Sequence, residues 1–158
     1  MKKKIKCVYV HMQFIKNNTI KKIVPNESLL SSLFYSFLKP KYKPYKDIVF
    51  NIRFVEYKEI IGLNSYYRGF NSLTNIISFS YEALSQRINI QLLGELVITP
   101  TLLLYESFKM NKAFIDHCAH IIVHGLLHLI GYNHKNVTDA DNMENIEYSN
   151  FNKTNIHL

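Results

Sequence analysis

Apolar residues along this chain recur with two different periods, and the switches between them mark out its elements. Residues 4–13 carry Ile5, Cys7 and Tyr9 with the β-branched Val8 and Val10, a mixed alternation that predicts a strand. Lys16, Asn17 and Asn18 predict a turn after it. Pro25, Asn26, Glu27 and Ser28 then open a helix running to about Leu38, with Leu29, Leu30, Leu33, Phe34 and Phe37 at helical spacing; Pro40 ends it. Over residues 47–55 the period becomes two. Ile48, Phe50, Ile52 and Phe54 share one face, and Val49, Asn51, Arg53 and Val55 share the other, so the first face must lie on helices. Residues 59–67 predict a short helix leading into Arg68 and Gly69. Residues 75–81 predict a third strand, and its Ile76, Ile77 and Phe79 suit a buried central position. A polar connector, 82–89, leads to a fourth strand over 90–99, closed by Pro100. Helices are predicted from 101 to 110, from 112 to 130 and from 139 to 151. In the last of these Met143, Ile146 and Tyr148 supply the apolar contacts, and residues 152–158 fray.

Composition changes this picture in a few places. A chain of 158 residues is expected to form one domain, 1–158, that buries a core without disulfide staples. Its 47% apolar and 20% charged content is that of a globular protein, not of a disordered or fibrous one. Cys7 and Cys118 lie far apart and form no Cys-x-x-Cys pair, which reads as two buried thiols in a reducing cytoplasm. The lysines at positions 2, 3, 4 and 6 have no apolar run or small-residue cleavage site after them, so the protein is expected to stay inside the cell. A formal net charge of +7 favours a polyanionic partner such as RNA. The abundance of Lys, Asn, Ile, Tyr and Phe is also what AT-rich codons produce, so the three arginines, Arg53, Arg68 and Arg87, are more informative than the lysines. The basic loop 39–46, with Tyr42 and Tyr45, reads either as a solvated connector or as a place where RNA bases stack.

The strongest chemical signal is His124, His128 and His134, at offsets of zero, four and ten. Residues four apart on a helix are about 40° apart around its axis, so His124 and His128 project side by side. With His124 at the front of the wheel, His117, His120 and His128 all fall within about 40° of it. The other faces carry Ile121, Ile122, Val123, Leu126, Leu127, Leu129 and Ile130, so the helix is expected to be buried except along the histidine stripe. Asp116 and the histidines interrupt it too often for a membrane span. Gly131 can take the left-handed conformation that ends a helix, and that reversal would bring His134 to the same ion. Three nitrogens with a fourth position left for water make a catalytic rather than a structural zinc site. His117 and His120 stand behind the ligands at most. Metzincin proteases share the spacing but place a glutamate base directly after the first histidine. Gly125 stands there instead, which argues against proteolysis.

The run His124-Gly125-Leu126-Leu127-His128-Leu129-Ile130-Gly131-Tyr132-Asn133-His134 resembles the signature of the YbeY family, bacterial metal-dependent endoribonucleases of ribosomal RNA maturation. Arg68-Gly69, then Leu73-Thr74-Asn75-Ile76-Ile77-Ser78-Phe79, then Leu93-Gly94-Glu95-Leu96-Val97-Ile98 are similar to that family's central region, in the expected order. The chain departs from the pattern at Asn133, where the family has aspartate, at Ser80, where it has proline, and at Ser72-Leu73, where it has Lys-Pro. The resemblance implies a single α+β domain with an about four-stranded mixed sheet and a metzincin-like metal helix. In such architectures an edge strand borders the cleft, so the fourth strand is expected to face substrate, with Glu95 serving structure. It also implies one Zn2+ held by His124, His128 and His134, with Arg68 and His124 as the catalytic residues. The implied partners are single-stranded and ribosomal RNA and the small ribosomal subunit. The implied task is maturation of the 16S rRNA 3′ end and ribosome quality control in the cytoplasm, away from membranes. Two other classes fit parts of the pattern: a metzincin-like peptidase, and a non-catalytic ribosome-assembly factor whose metal only holds the fold.

Overall fold

The computed structural model describes residues 7–14, 18–38, 47–81, 90–133 and 136–151. The expectations for the basic loop 39–46, the connector 82–89 and the tail 152–158 lie outside the described residues, as do His134, Arg87, the N-terminal lysines and most of the turn at 16–18.

Four strands and six helices follow one another as β1 (Val8–Phe14), α1 (Asn18–Lys21), α2 (Glu27–Leu38), β2 (Asp47–Phe54), α3 (Tyr57–Arg68), β3 (Ile76–Ser80), β4 (Ile90–Ile98), α4 (Pro100–Lys109), α5 (Phe114–Leu129) and α6 (Val137–Phe151). The strands form one sheet in the order β1-β2-β4-β3, parallel except for the antiparallel β3–β4 pair, so the expected mixed α+β architecture is what the chain adopts. Parallel neighbours cannot be joined by a tight turn, and α2 accordingly lies between β1 and β2 in the chain. The Asn26 side chain starts α2 by accepting the Leu29 N–H at 2.8 Å, and Pro100, free of any N–H to satisfy, opens α4.

β2 shows how the two-residue period becomes a core. Ile48, Phe50, Ile52 and Phe54 are all buried and face α2 and α5; the Phe50 ring meets Phe34 edge-on at 4.7 Å and Phe54 stacks on Phe14 at 5.0 Å. Ala119, Ile122, Val123, Leu126 and Leu127 of α5 fill the same layer. The opposite face carries a smaller cluster, Val55, Ile60, Ile77 and Val97, beneath α3. No helix among the described residues is long and apolar enough to cross a membrane.

Several expectations are corrected. β3 is not central and β4 is not an edge strand: β4 lies between β2 and β3, and β3 ends the sheet among the described residues. β3 carries apolar residues on both faces because helices cover both: Ile76 reaches the main core and Ile77 the small cluster, so its sequence reads like that of a central strand. The polar Glu95 on β4 is accounted for by Arg53 of β2, whose Nε lies 3.2 Å from it and whose guanidinium also meets Glu59 of α3. Cys7 is exposed rather than buried. Cys118 is buried, and burial pushes its thiol up to about 12, which keeps it neutral. On α6, Tyr148 is exposed, and Met143, Glu147 and Phe151 occupy the inner face at four-residue spacing.

Gly94 is required where β4 shifts register against β2. A Cβ there would stand 2.2 Å from the carbonyl oxygen of Phe79 and 2.8 Å from Leu129 Cδ2. The backbone oxygen cannot step aside without breaking the β3–β4 ladder, so Gly94→Ala is expected to cost about 2–3 kcal/mol. That corresponds to a fall in Tm of roughly 4–12 °C for a domain of this size, measurable by circular dichroism; a shift below 2 °C would show that the strand pair gives way easily.

Candidate metal centre

Helix α5 ends in a Schellman turn built on Gly131, which has φ 93°. The Gly131 N–H bonds the His128 carbonyl at 3.0 Å and the Tyr132 N–H bonds the Leu127 carbonyl at 2.9 Å, satisfying carbonyls the helix leaves over. This reversal, expected from the glycine, carries the Tyr132 carbonyl back to within 3.0 Å of His128 Nδ1. One turn earlier, His124 Nδ1 lies 3.0 Å from Glu147 Oε1 on α6, and the other oxygen of that carboxylate lies 3.0 Å from His120 Nε2.

These partners set the tautomers. A carbonyl and a carboxylate only accept, so His124 and His128 each donate from Nδ1 and each carries its lone pair on Nε2. The two Nε2 atoms face each other at 3.1 Å, with the rings 79° apart in plane. Two lone pairs at that distance repel unless a proton or a metal ion stands between them. Two imidazoles on a tetrahedral zinc at ~2.0–2.1 Å have their nitrogens roughly 3.4 Å apart, close to the observed separation. The pair therefore fits a metal ion. Among the described residues no group of three His, Cys, Asp or Glu is placed to hold one, and the expected third ligand, His134, falls outside them.

Glu147 was not among the residues singled out from the sequence. Its signal was a carboxylate on the apolar stripe of α6, four residues from both Met143 and Phe151. Burial by itself would raise its pKa, but hydrogen bonds from His120 and His124, and their positive charge when protonated, bring it down from 4.5 to about 2. A depressed carboxylate stabilises the fold fully above its ordinary value and loses that contribution as pH falls from about 4.5 towards about 2. In Glu147→Gln that acid-dependent component should vanish from the unfolding curve, and metal affinity should fall about 10–100-fold because the amide keeps only one acceptor for the two rings and loses the charge that raises the basicity of His124. An unaltered acid profile in that variant would remove Glu147 from this role.

The histidine stripe divides. His120 reaches the pair through Glu147, whereas His117, almost fully buried, turns away to Glu106 of α4, 2.8 Å from its Nε2. Asn75 donates to both Glu106 oxygens, at 3.3 and 3.2 Å, so His117 belongs to a tether between α4, α5 and the start of β3. A cleft of about 320 Å³ opens beside His120 and His124, lined also by Lys112, Glu144, Glu147 and Tyr148.

Gly125 is buried against the sheet. A Cβ at this position would come 2.5 Å from Ile76 Cδ1, 3.0 Å from Leu96 Cδ2 and 3.2 Å from Ser78 Oγ, and the Ser78 hydroxyl donates to the Gly125 carbonyl at 3.4 Å. The position that carries the base in metzincin proteases is here pressed into β3 and β4. Arg68 ends α3, exposed, and Gly69 with φ 75° caps the helix behind it. Asn64 pins the following loop through the Ser72 carbonyl at 2.9 Å. Among the described residues Arg68 has no ion-pair partner, and the structure does not bring it into contact with the histidine pair. It is linked to them through β3: the Tyr67 ring meets Phe79 at 4.8 Å, and β3 packs on α5 at Gly125.

A sequence model of the family described as Endoribonuclease YbeY matches residues 6–155. Among curated proteins, the Endoribonuclease YbeY of Pseudoalteromonas translucida is 48% identical over 85 residues, covering 54% of this chain and 55% of that protein. That of Buchnera aphidicola is 46% identical over 99 residues, covering 63% of each. That of Francisella tularensis is 35% identical over 150 residues, covering 93% of this chain and 87% of its own length. The chain thus spans 55% and 63% of the first two relatives and most of the third. The solution structure of a Thermotoga maritima protein superposes with a TM-score of 0.54 at 17% identity, covering 91% of this chain and 90% of that one, a likeness of fold.

Proposed function

Because this chain belongs to the YbeY family, we propose that it is a metal-dependent endoribonuclease, cleaving single-stranded RNA with one zinc ion held by His124, His128 and His134. The observation that carries this reading is the 3.1 Å approach of two Nε2 atoms whose rings are both held by acceptors on the far side. The relatives' shared name supplies the reaction class, and the net charge of +7 suits a polyanionic substrate. Ribosomal RNA, including the 16S rRNA 3′ end, is the proposed substrate, the small ribosomal subunit the proposed partner, and the cytoplasm, with a quality-control role on ribosomes, the proposed setting.

When bound, the ion supplies Lewis acidity toward a phosphate oxygen and lowers the pKa of a water molecule. The protein's own groups do the rest. Glu147 and the Tyr132 carbonyl hold the two imidazoles with Nε2 turned inward, the orientation in which both rings can offer that nitrogen to one ion. The guanidinium of Arg68 grips two phosphate oxygens and balances the charge that grows as the phosphodiester is attacked, by water or by the RNA 2′-hydroxyl. Arg68→Ala should therefore lower turnover on labelled single-stranded RNA about 10²–10³-fold while zinc content stays that of the parent. Full activity in this variant would exclude Arg68 from the chemistry.

Peptidase chemistry is disfavoured by Gly125, whose environment leaves no room for a base. Incubation with casein and with RNA in parallel separates the two activities.

A further inference from the structure

Around Arg68 the chain exposes aromatic rings that the core does not use. Tyr66 is 83% exposed, Phe70 65% and Tyr67 59%, on the last turn of α3 and the loop after it. Tyr67 is held in place edge-on between Tyr66 and Phe79, each ring centre 4.8 Å away. Tyr66 and Phe70 project on either side of the arginine in sequence. Between Glu59 and Glu82 the single charged residue is Arg68, so this stretch of α3, loop and β3 has one cation and no carboxylate of its own to repel a phosphate. Phe79 lies on the face of β3 that α3 covers, and the other face of the same strand, which ends the sheet among the described residues, packs against α5 at Gly125, next to His124.

Exposed rings beside a cation are what a single-stranded nucleic acid requires. Every base has a face that stacks on an aromatic ring whatever its identity, and the backbone needs positive charge without nearby carboxylates. A second exposed group, Leu104, Tyr105, Phe108 and Met110 on and just after α4, mixes aliphatic with aromatic side chains. We propose that Tyr66, Tyr67 and Phe70 form a base-stacking platform around Arg68, on which single-stranded RNA lies as it passes round the β3 edge of the sheet toward the histidines. The platform rests on the endoribonuclease reading and adds to it the means by which an unpaired strand is selected: in a duplex the base faces are already stacked on one another.

The test uses the full-length protein. The chain contains no tryptophan, so Tyr66→Trp places one fluorophore on the platform. Titration with a short, unstructured 2′-O-methyl oligouridylate should quench its emission, with cleavage of the unmodified strand assayed in parallel. Tyr66→Ala and Phe70→Ala should each weaken binding about tenfold with an unchanged Tm, Tyr66→Leu should weaken it as alanine does, and Tyr66→Phe should preserve it. If the leucine variant binds like the parent, if emission is unaffected, or if a duplex of the same sequence competes equally, the platform is overturned while cleavage by the parent still upholds the endoribonuclease reading. If the parent neither binds nor cleaves RNA, both are overturned.

Discussion

His128→Ala should retain less than stoichiometric zinc, cleave single-stranded RNA about a thousandfold more slowly than the parent, and melt within a few degrees of it. Lewis-acid stabilisation of a transition state is worth several kcal/mol, and about 4 kcal/mol is a thousandfold in rate. The fold should survive because His128 is only half-buried and the two backbone bonds of the Schellman turn do not involve its ring. Zinc analysis, RNA cleavage and a thermal melt on parent and variant purified side by side give the three readouts, and the parallel purification controls for contaminating nuclease. A parent that cleaves nothing, together with a variant that unfolds, would instead identify an assembly factor whose metal holds the structure.

Gly125→Glu, the change that would restore the metzincin sequence after the first histidine, should prevent folding. Its Cβ alone meets Ile76 Cδ1 at 2.5 Å and Leu96 Cδ2 at 3.0 Å, and the carboxylate beyond would be driven among buried apolar side chains. Overpacking of about 1–3 kcal/mol adds to a desolvation cost of several kcal/mol for the charge, together comparable with the whole stability of about 5–15 kcal/mol expected of a domain. Gly125→Ala separates the two contributions. The helix gains about 1 kcal/mol in propensity, and the closest atom, the far end of the Ile76 side chain, can swing aside, so the net change should be small. Solubility and circular dichroism of the two variants decide the matter; a folded glutamate variant would mean that α5 can lift from the sheet.

The side-by-side placement of His124 and His128 and the turn after them are written in the sequence. The i, i+4 histidines require no tertiary information to lie side by side on a helix, and Gly131 announces the reversal after it because few other residues take a positive φ cheaply. Glu147 was harder to see: its partner His124 lies 23 residues away, and only the packing of α6 on α5 brings the two together. The separation of His117 from His120 was equally hidden. Both lie on one stripe of α5, and the acidic residue each helix neighbour offers, Glu106 on α4 or Glu147 on α6, assigns them to different networks.

Local pattern was enough to define the histidine-bearing helix α5, the alternating burial of β2 and most helix limits, because each depends on interactions within a few residues of the chain. Strand order was another matter. β3 and β4 exchanged places relative to expectation because apolar alternation records how many faces of a strand are covered, and is silent on which neighbour its backbone bonds. Glu95 on β4, expected to serve structure, pairs with Arg53 on β2, a partner that only the sheet order supplies. Helical geometry and backbone sterics act over a turn or two and are written in the order of residues; pairings across the sheet and between helices join groups tens of residues apart, and exist once the whole core has closed.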